Sequence, residues 1–187
     1  SFSGTGATQT MNMANGTDGT DALHDIAVVE FASNVTVRVV GANGYANIAD
    51  AATAADASDR LFLAEAAPIS IDTAGSIATK TLAIDNASLT EISDTATAIS
   101  TANFGVAPLS GYATITNTSI GETATLDASE LGDRSVTLSG DGTFAVTGTI
   151  AEIQSLSATT YGSIDTLVIS DSANNISSLS TNNIADL

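Results

Sequence analysis

From about residue 69 onward the chain is a succession of short runs of small apolar and β-branched residues. They fall at 80–84, 112–116, 123–126, 135–139, 143–147 and 165–170, with Asp/Asn/Gly/Ser turns between them. Runs of this length, rich in Val, Ile, Ala and Thr, read as strands, and the polar punctuation supplies the turns. Aromatic residues make up only 4% and Trp is absent, so the chain has little with which to fill a bulky core. Thin β-layers in regular succession suit such side chains, because each layer buries small apolar groups against the next. The expected fold is therefore mainly β, a solenoid-like stack of short strands of the parallel β-helix type with a few short helices. β-Sandwich modules are the alternative. Internal likeness supports stacking: Thr81-Leu82-Ala83-Ile84-Asp85 resembles Thr166-Leu167-Val168-Ile169-Ser170.

The first part of the chain has a different texture. Residues 1–20 are mostly Gly, Ser, Thr, Asn and Gln and read as an extended lead-in. Strands are expected at about 26–31 and 35–40, the second alternating Val35, Val37 and Val39 around Thr36 and Arg38. An alanine-rich helix is expected at 48–57 with Asn47 as its N-cap, then a strand at 61–64. Pro68 and the change of texture place the expected boundary near 70, giving regions 1–70 and 71–187. Two capping-box patterns, Ser88-x-x-Glu91 and Thr149-x-x-Glu152, point to helix starts. After the second, Ile150, Ile153 and Leu156 share one helix face.

Charge narrows the function classes. The 187 residues carry 21 carboxylates against four cations, Arg38, Arg60, Lys80 and Arg134, for a net charge of -17. Nucleic acid is excluded as a partner, since binding it needs a basic footprint; the same deficit argues against an anionic membrane surface. No run approaches the roughly 18 apolar residues of a membrane span, so no membrane insertion is expected. At 43% apolar and a mean hydropathy of +0.25 the chain is a folding one. Its self-repulsion calls for salt or bound cations. Cysteine is absent, which removes disulfides, thiol catalysis and thiolate metal sites. The chain opens Ser-Phe-Ser-Gly without the basic region and apolar core of a secretory signal. With no initiator Met and an end inside a repeating pattern, it reads as part of a larger polypeptide.

Residues 16–23 read Gly16-Thr17-Asp18-Gly19-Thr20-Asp21-Ala22-Leu23. Glycines permit tight turns, and carboxylates are hard oxygen ligands suited to calcium. On turn chemistry alone the same residues equally make an acidic surface turn with no ion. The stretch resembles the G-G-x-G-x-D-x-apolar nonapeptide of secreted RTX (hemolysin-type) bacterial proteins, with Thr17 at the second glycine. The adjoining residues are similar as well: Asp21-Ala22-Leu23-His24-Asp25-Ile26 resembles the D-x-L-x-x-I segment after such repeats, leading to Glu30-Phe31-Ala32. Gly44-Tyr45-Ala46-Asn47-Ile48 and Asp59-Arg60-Leu61-Phe62-Leu63 resemble the opening segment of parallel β-helix proteins. The resemblance covers roughly residues 16–70. The later units, with Thr149-Ile150-Ala151-Glu152-Ile153 and Ile169-Ser170-Asp171-Ser172-Ala173, look like degenerate repeats of large acidic surface proteins.

That resemblance implies a secreted, calcium-associated surface protein exported by type I secretion. It implies a calcium site with Asp21 as a direct ligand, completed by Asp18 or by the carbonyls of Gly16 and Gly19. Asp141 and Asp171 place single carboxylates in later turns and are further metal candidates. The implied function is structural: part of a surface layer, extracellular filament or adhesin. Its partners would be its own copies, other surface proteins or cell-surface polysaccharide.

Catalytic constellations are sparse. His24, the sole histidine, has Asp21 and Asp25 nearby, but no G-x-S-x-G elbow accompanies it. Acidic pairs such as Asp127 with Glu130 and Asp165 with Asp171 suit glycoside hydrolysis only if they flank a sugar at about 5–9.5 Å. No enzyme activity is expected. A polysaccharide-acting β-helix enzyme and an adhesin ligand-binding tip are the rival readings. Thr-x-Thr pairs at 95/97, 114/116 and 123/125 are separated by 19 and then 9 residues. That irregularity favours threonine as a strand former over a flat ice-binding face.

Overall fold

A computed structural model describes residues 2–3, 9–11, 21–23, 28–30, 36–41, 44–85 and 88–178, the first three stretches as backbone only. The chain divides into two compact units, Ser1–Leu89 and Thr90–Leu187. Residue 70, where the sequence changes texture, is the N-cap of a helix within the first unit.

The first unit contains an antiparallel sheet of β1 (Phe2–Ser3), β2 (Gln9–Met11) and β3 (Asp21–Leu23). A second sheet comprises β4 (Val28–Glu30), β5 (Thr36–Val40), β6 (Arg60–Leu63) and β7 (Ala83–Asp85) in that order. Its β4–β5 pair is antiparallel, whereas β5, β6 and β7 run parallel. Parallel strands need a crossover, and helices α1 (Ile48–Ala54) and α2 (Ile71–Thr79) provide it. Val37 and Val39 pack with Phe62, all at most 2% exposed. Leu61 and Leu63 are buried too, so β6 is covered on both faces.

In the second unit, β8 (Glu91–Asp94) leads to α3 (Ala96–Thr101), and a 3-10 turn at Leu109–Gly111 precedes β9 (Thr114–Asn117). Next come β10 (Thr123–Asp127), α4 (Ala128–Leu131), β11 (Thr137–Gly140) and β12 (Thr143–Gly148). The described chain closes with α5 (Ile150–Ser155), α6 (Ala158–Tyr161), β13 (Thr166–Ile169) and α7 (Ala173–Ser177). Two parallel sheets result, β8-β9-β11 and β10-β12-β13. Strands consecutive in the chain, β9 then β10 and β11 then β12, fall in different sheets.

A common step relates the parallel pairs of both units. Val37 faces Arg60 and Arg60 faces Ala83; Glu91 faces Thr114 and Thr114 faces Thr137. Each jump is 23 residues. Thr123 faces Thr143 at 20, and Ala145 faces Thr166 at 21. In the second unit inward residues stack on their counterparts one step away, as Ala124 on Phe144 and Leu126 on Val146, each buried.

All seven α-helices among the described residues start directly on a side-chain cap: Asn47, Ser70, Thr95, Asp127, Thr149, Ser157 and Ser172 each accept from a first-turn N–H. Such short, Ser/Thr-rich helices have little intrinsic stability, so capping and burial of one face hold them. The Asn47 cap and the Thr149/Glu152 capping box form as the sequence indicates. The Ser88/Glu91 pattern does not: Glu91 opens strand β8, and its carboxylate accepts from Thr116 Oγ1 at 2.7 Å. Tertiary pairing overrides the local signal there. The mainly β expectation is met in part: sheets of short strands form as expected, and helix takes about as large a share of the described residues as strand. Sandwich modules, which are antiparallel, do not match the parallel sheets.

One buried amide fixes the corner between the two sheets of the second unit. Asn117, fully buried at the end of β9, donates from Nδ2 to the carbonyls of Glu122 and Thr143, each at 3.1 Å. Its Oδ1 accepts from Ser119 N at 3.0 Å. Gly140 and Gly142 lie directly against it. A Cβ at 140, where φ is +125°, would strike the Asn117 backbone, and one at 142 would strike its amide. Asn117→Ala removes the amide's bonds to the Glu122 and Thr143 carbonyls and to the Ser119 N–H, with the Glu122 carbonyl still accepting from Thr143 N at 3.0 Å, and should cost about 1–3 kcal/mol. Gly142→Ala should destabilise by overlap. Chemical denaturation checks both, with a lowered midpoint at unchanged slope as the expected outcome.

Candidate functional site

The most diagnostic chemistry is the placement of the four cations, because any anionic substrate would need one. Each is engaged internally. Arg38 Nε donates to Asp59 at 2.9 Å and its Nη1 to the Tyr45 hydroxyl at 3.0 Å. Both ion-pair side chains are close to nine-tenths buried, so removing one partner would strand the other. Arg60 Nε donates to Asp85 at 2.8 Å across to β7, a more exposed pair of modest worth. Lys80 Nζ reaches the carbonyls of Ala52, Thr53 and Ala55 at 2.8–2.9 Å. It satisfies the orphan C-terminal acceptors of α1 and sits at the negative end of the helix dipole. Arg134 donates to the carbonyls of Ser110, Phe104 and Glu130 at 2.6, 2.9 and 2.9 Å.

Many carboxylates have equally structural uses. Asp165 Oδ2 accepts from Phe144 N at 2.8 Å, and Asp171 Oδ2 from Ile150 N at 3.1 Å. Glu130 accepts from Phe104 N at 3.2 Å, and Asp127 caps α4. The two carboxylate pairs considered for glycoside chemistry are thus committed to backbone donors. Burial pushes the Glu130 carboxyl above its ordinary value; the Phe104 N–H opposes this and the nearby Asp127 charge adds to it. Asp171 is held below its ordinary value by the Asn175 amide first, then by the N–H groups of Ser172 and Ile150.

Gly16, Asp18, Gly19 and His24 lie outside the described residues. Asp21 opens β3, its backbone paired with Met11, and is described as backbone only. Asp141 is exposed in the β11–β12 turn, where its N–H donates to the Asn117 carbonyl at 2.9 Å. Asp171 has both oxygens engaged by three N–H donors, a poor match to calcium's six to eight oxygens. Among the described residues no group of three or more His, Cys, Asp or Glu gathers to hold a metal. In the first unit a cleft of about 360 Å³ opens between Val40, Ile48, Ala64 and Pro68, with Glu65 on its wall. No nucleophile–base pair lines it.

Sequence reasoning missed a set of hydroxyl ladders. Thr116 Oγ1 lies between Glu91 and Ser139, at 2.7 and 3.1 Å, across all three strands of its sheet. Thr123 and Thr143 hydroxyls meet at 2.8 Å. The signal was the 20–23-residue step, which aligns Thr114 with Thr137 and Thr123 with Thr143. Comparison with protein-family models, with curated proteins and with solved structures finds no match to this chain.

Two substitutions check these assignments. Lys80→Met should lower stability by about 1–2 kcal/mol through loss of three charge-assisted bonds to the α1 carbonyls, measured by denaturant titration. A raised folded-state carboxyl pKa means the folded form holds its proton longer, so stability falls as pH rises from the ordinary Glu value through the folded one. Glu130→Gln, which keeps an acceptor for Phe104 N, should remove that fall and leave the protein at least as stable at pH 7. Thermal melts of both forms across pH 4–7 read this out.

Proposed function

We propose that this chain is a structural module of a secreted, calcium-associated bacterial surface protein: a surface layer, an extracellular filament or an adhesin. In this reading its strands are the rungs of a solenoid in which β and α segments alternate. The observation that carries the reading is the common step of 20–23 residues in every parallel strand pair described. A chain built of rungs that bury one another suits extension along its length rather than enclosure of a substrate. The cations support the same reading, since all four hold neighbouring segments together and leave none to receive an anionic sugar or phosphate. The charge of -17 then calls for a screening cation, and calcium at the Gly16–Asp21 turn is the form that the sequence resemblance gives it.

Thermal unfolding in millimolar calcium and in chelator, at matched ionic strength, tests the calcium half. Calcium should raise Tm by several degrees, as about 2.7 kcal/mol of linkage at 100-fold saturation requires, and Asp21→Ala should abolish the increment. Equal melting in both conditions would set calcium aside. Release of reducing or unsaturated ends from polysaccharides above blank would overturn the structural reading in favour of an enzyme.

A further inference from the structure

Two parallel strands and the helix between them leave a cleft in the first unit. β5 ends at Val40 and β6 at Leu63, and the cleft of about 360 Å³ lies just beyond both carboxyl ends, against the start of α1. Crevices at that end of parallel strands are where α/β folds seat small ligands. Small residues keep the space open: Gly41, Ala46, Ala64 and Ala67 line it together with the buried Val40 and Ile48.

The walls are fixed without a ligand. Gly44 N donates to the Gly41 carbonyl and Tyr45 N to the Val39 carbonyl, each at 2.8 Å, closing the turn after β5. Gly41 has a φ of +81°, and a Cβ at 44 would strike the Val39 carbonyl, so the turn takes no larger residue at either position. Ala64 N donates to the Val40 carbonyl at 3.2 Å and ties the two strand ends together. The Tyr45 hydroxyl is held by Arg38, which is itself paired with Asp59. A site built in this way spares a ligand the cost of ordering it.

Chemistry narrows the occupant. The Asn47 amide is engaged by Asp50, its Oδ1 accepting from the Asp50 N–H at 2.8 Å and its Nδ2 donating to the Asp50 carboxylate at 2.9 Å. Asp50 also answers the positive end of α1, so an anion would meet like charge there. Glu65, exposed on the cleft wall, has no hydrogen-bond or ion-pair partner among the described residues. All four cations are engaged elsewhere. We infer that this cleft binds a small primary amine, its apolar body against Val40, Ile48 and Ala64 and its ammonium group on the Glu65 carboxylate. The charge of -17 favours the approach of a cation, and the apolar lining selects among cations. The site stands apart from the structural-module reading, and neither the calcium melts nor the polysaccharide assay bears on it.

Titration of the whole chain with phenethylamine, followed by amide NMR shifts at neutral pH in chelator and about 0.15 M NaCl, tests it. The expected result is saturable one-to-one binding, with shifts centred on Val40, Ile48 and residues 64–68. Phenethyl alcohol, neutral and of the same shape, should bind at least about threefold more weakly, and phenylpropionate should not bind. Glu65→Gln should bring the amine down to the affinity of the alcohol and leave the alcohol unaffected. Ala67→Leu, at an exposed residue of the cleft, should weaken both. Glu122→Gln, at an exposed carboxylate of the second unit, removes the same charge and should leave amine binding intact. Shifts that do not saturate or that spread over the acidic surface, equal affinity for amine and alcohol, or binding of phenylpropionate overturns the inference. So does unchanged amine binding in Glu65→Gln, or equal loss in Glu122→Gln.

Discussion

Parallel, in-register pairing at a near-constant step is the constraint on which the rest of this structure depends. It places each paired residue of the parallel strands beside a counterpart 20–23 positions away, so contacts distant in sequence recur at a regular step. Aliphatic side chains stack into inward rows and hydroxyls into outward ladders, as Leu126 on Val146 and Thr123 on Thr143. The cations obey the same arithmetic. Arg38 reaches Asp59 21 residues away, Arg60 reaches Asp85 across 25, and Arg134 reaches Ser110 across 24. Each ties one segment to the next.

The unusual composition follows from short segments. A strand of four or five residues ends quickly, and each end exposes backbone groups that burial would penalise. Small polar side chains close them: Ser100 on Thr125 N, Thr160 on Val136 N, Asp165 on Phe144 N, Asp171 on Ile150 N. Ser, Thr and Asp are abundant because they cap helices and strand ends alike. Among the described residues, carboxylates such as Glu65, Asp72, Glu122, Asp133 and Asp141 are exposed and contribute to the acidic surface.

Much of the local structure was legible in the residues. The runs at 123–126 and 143–147 became Thr123–Asp127 and Thr143–Gly148, and Asn47 caps its helix as its side chain predicts. Short β-branched runs and cap residues act over a few positions, so a linear reading can find them. Helices α2 and α3 were not seen, because their Ala/Ser/Thr-rich sequences carry little helix propensity and are held by caps and buried faces. The glycine and aspartate spacing at 16–21 that resembles a calcium-binding repeat falls, apart from Asp21 in β3, outside the described residues.

Register was the part only tertiary structure could decide. Thr114/Thr116 and Thr123/Thr125 look irregularly spaced along the chain because they belong to different sheets, while Thr95 is a helix cap rather than a strand residue. Within its own sheet each pair has its counterpart one step on, at Thr137/Ser139 and at Thr143/Ala145. Glu91 likewise forms a strand rather than a helix start, since pairing with β9 outweighs a capping pattern four residues long. The sequence by itself determined which residues extend, which turn and how acidic the chain is, because those properties reside in single side chains and their immediate neighbours. Which strand lies on which depended on contacts between residues some twenty positions apart, where no local propensity reaches.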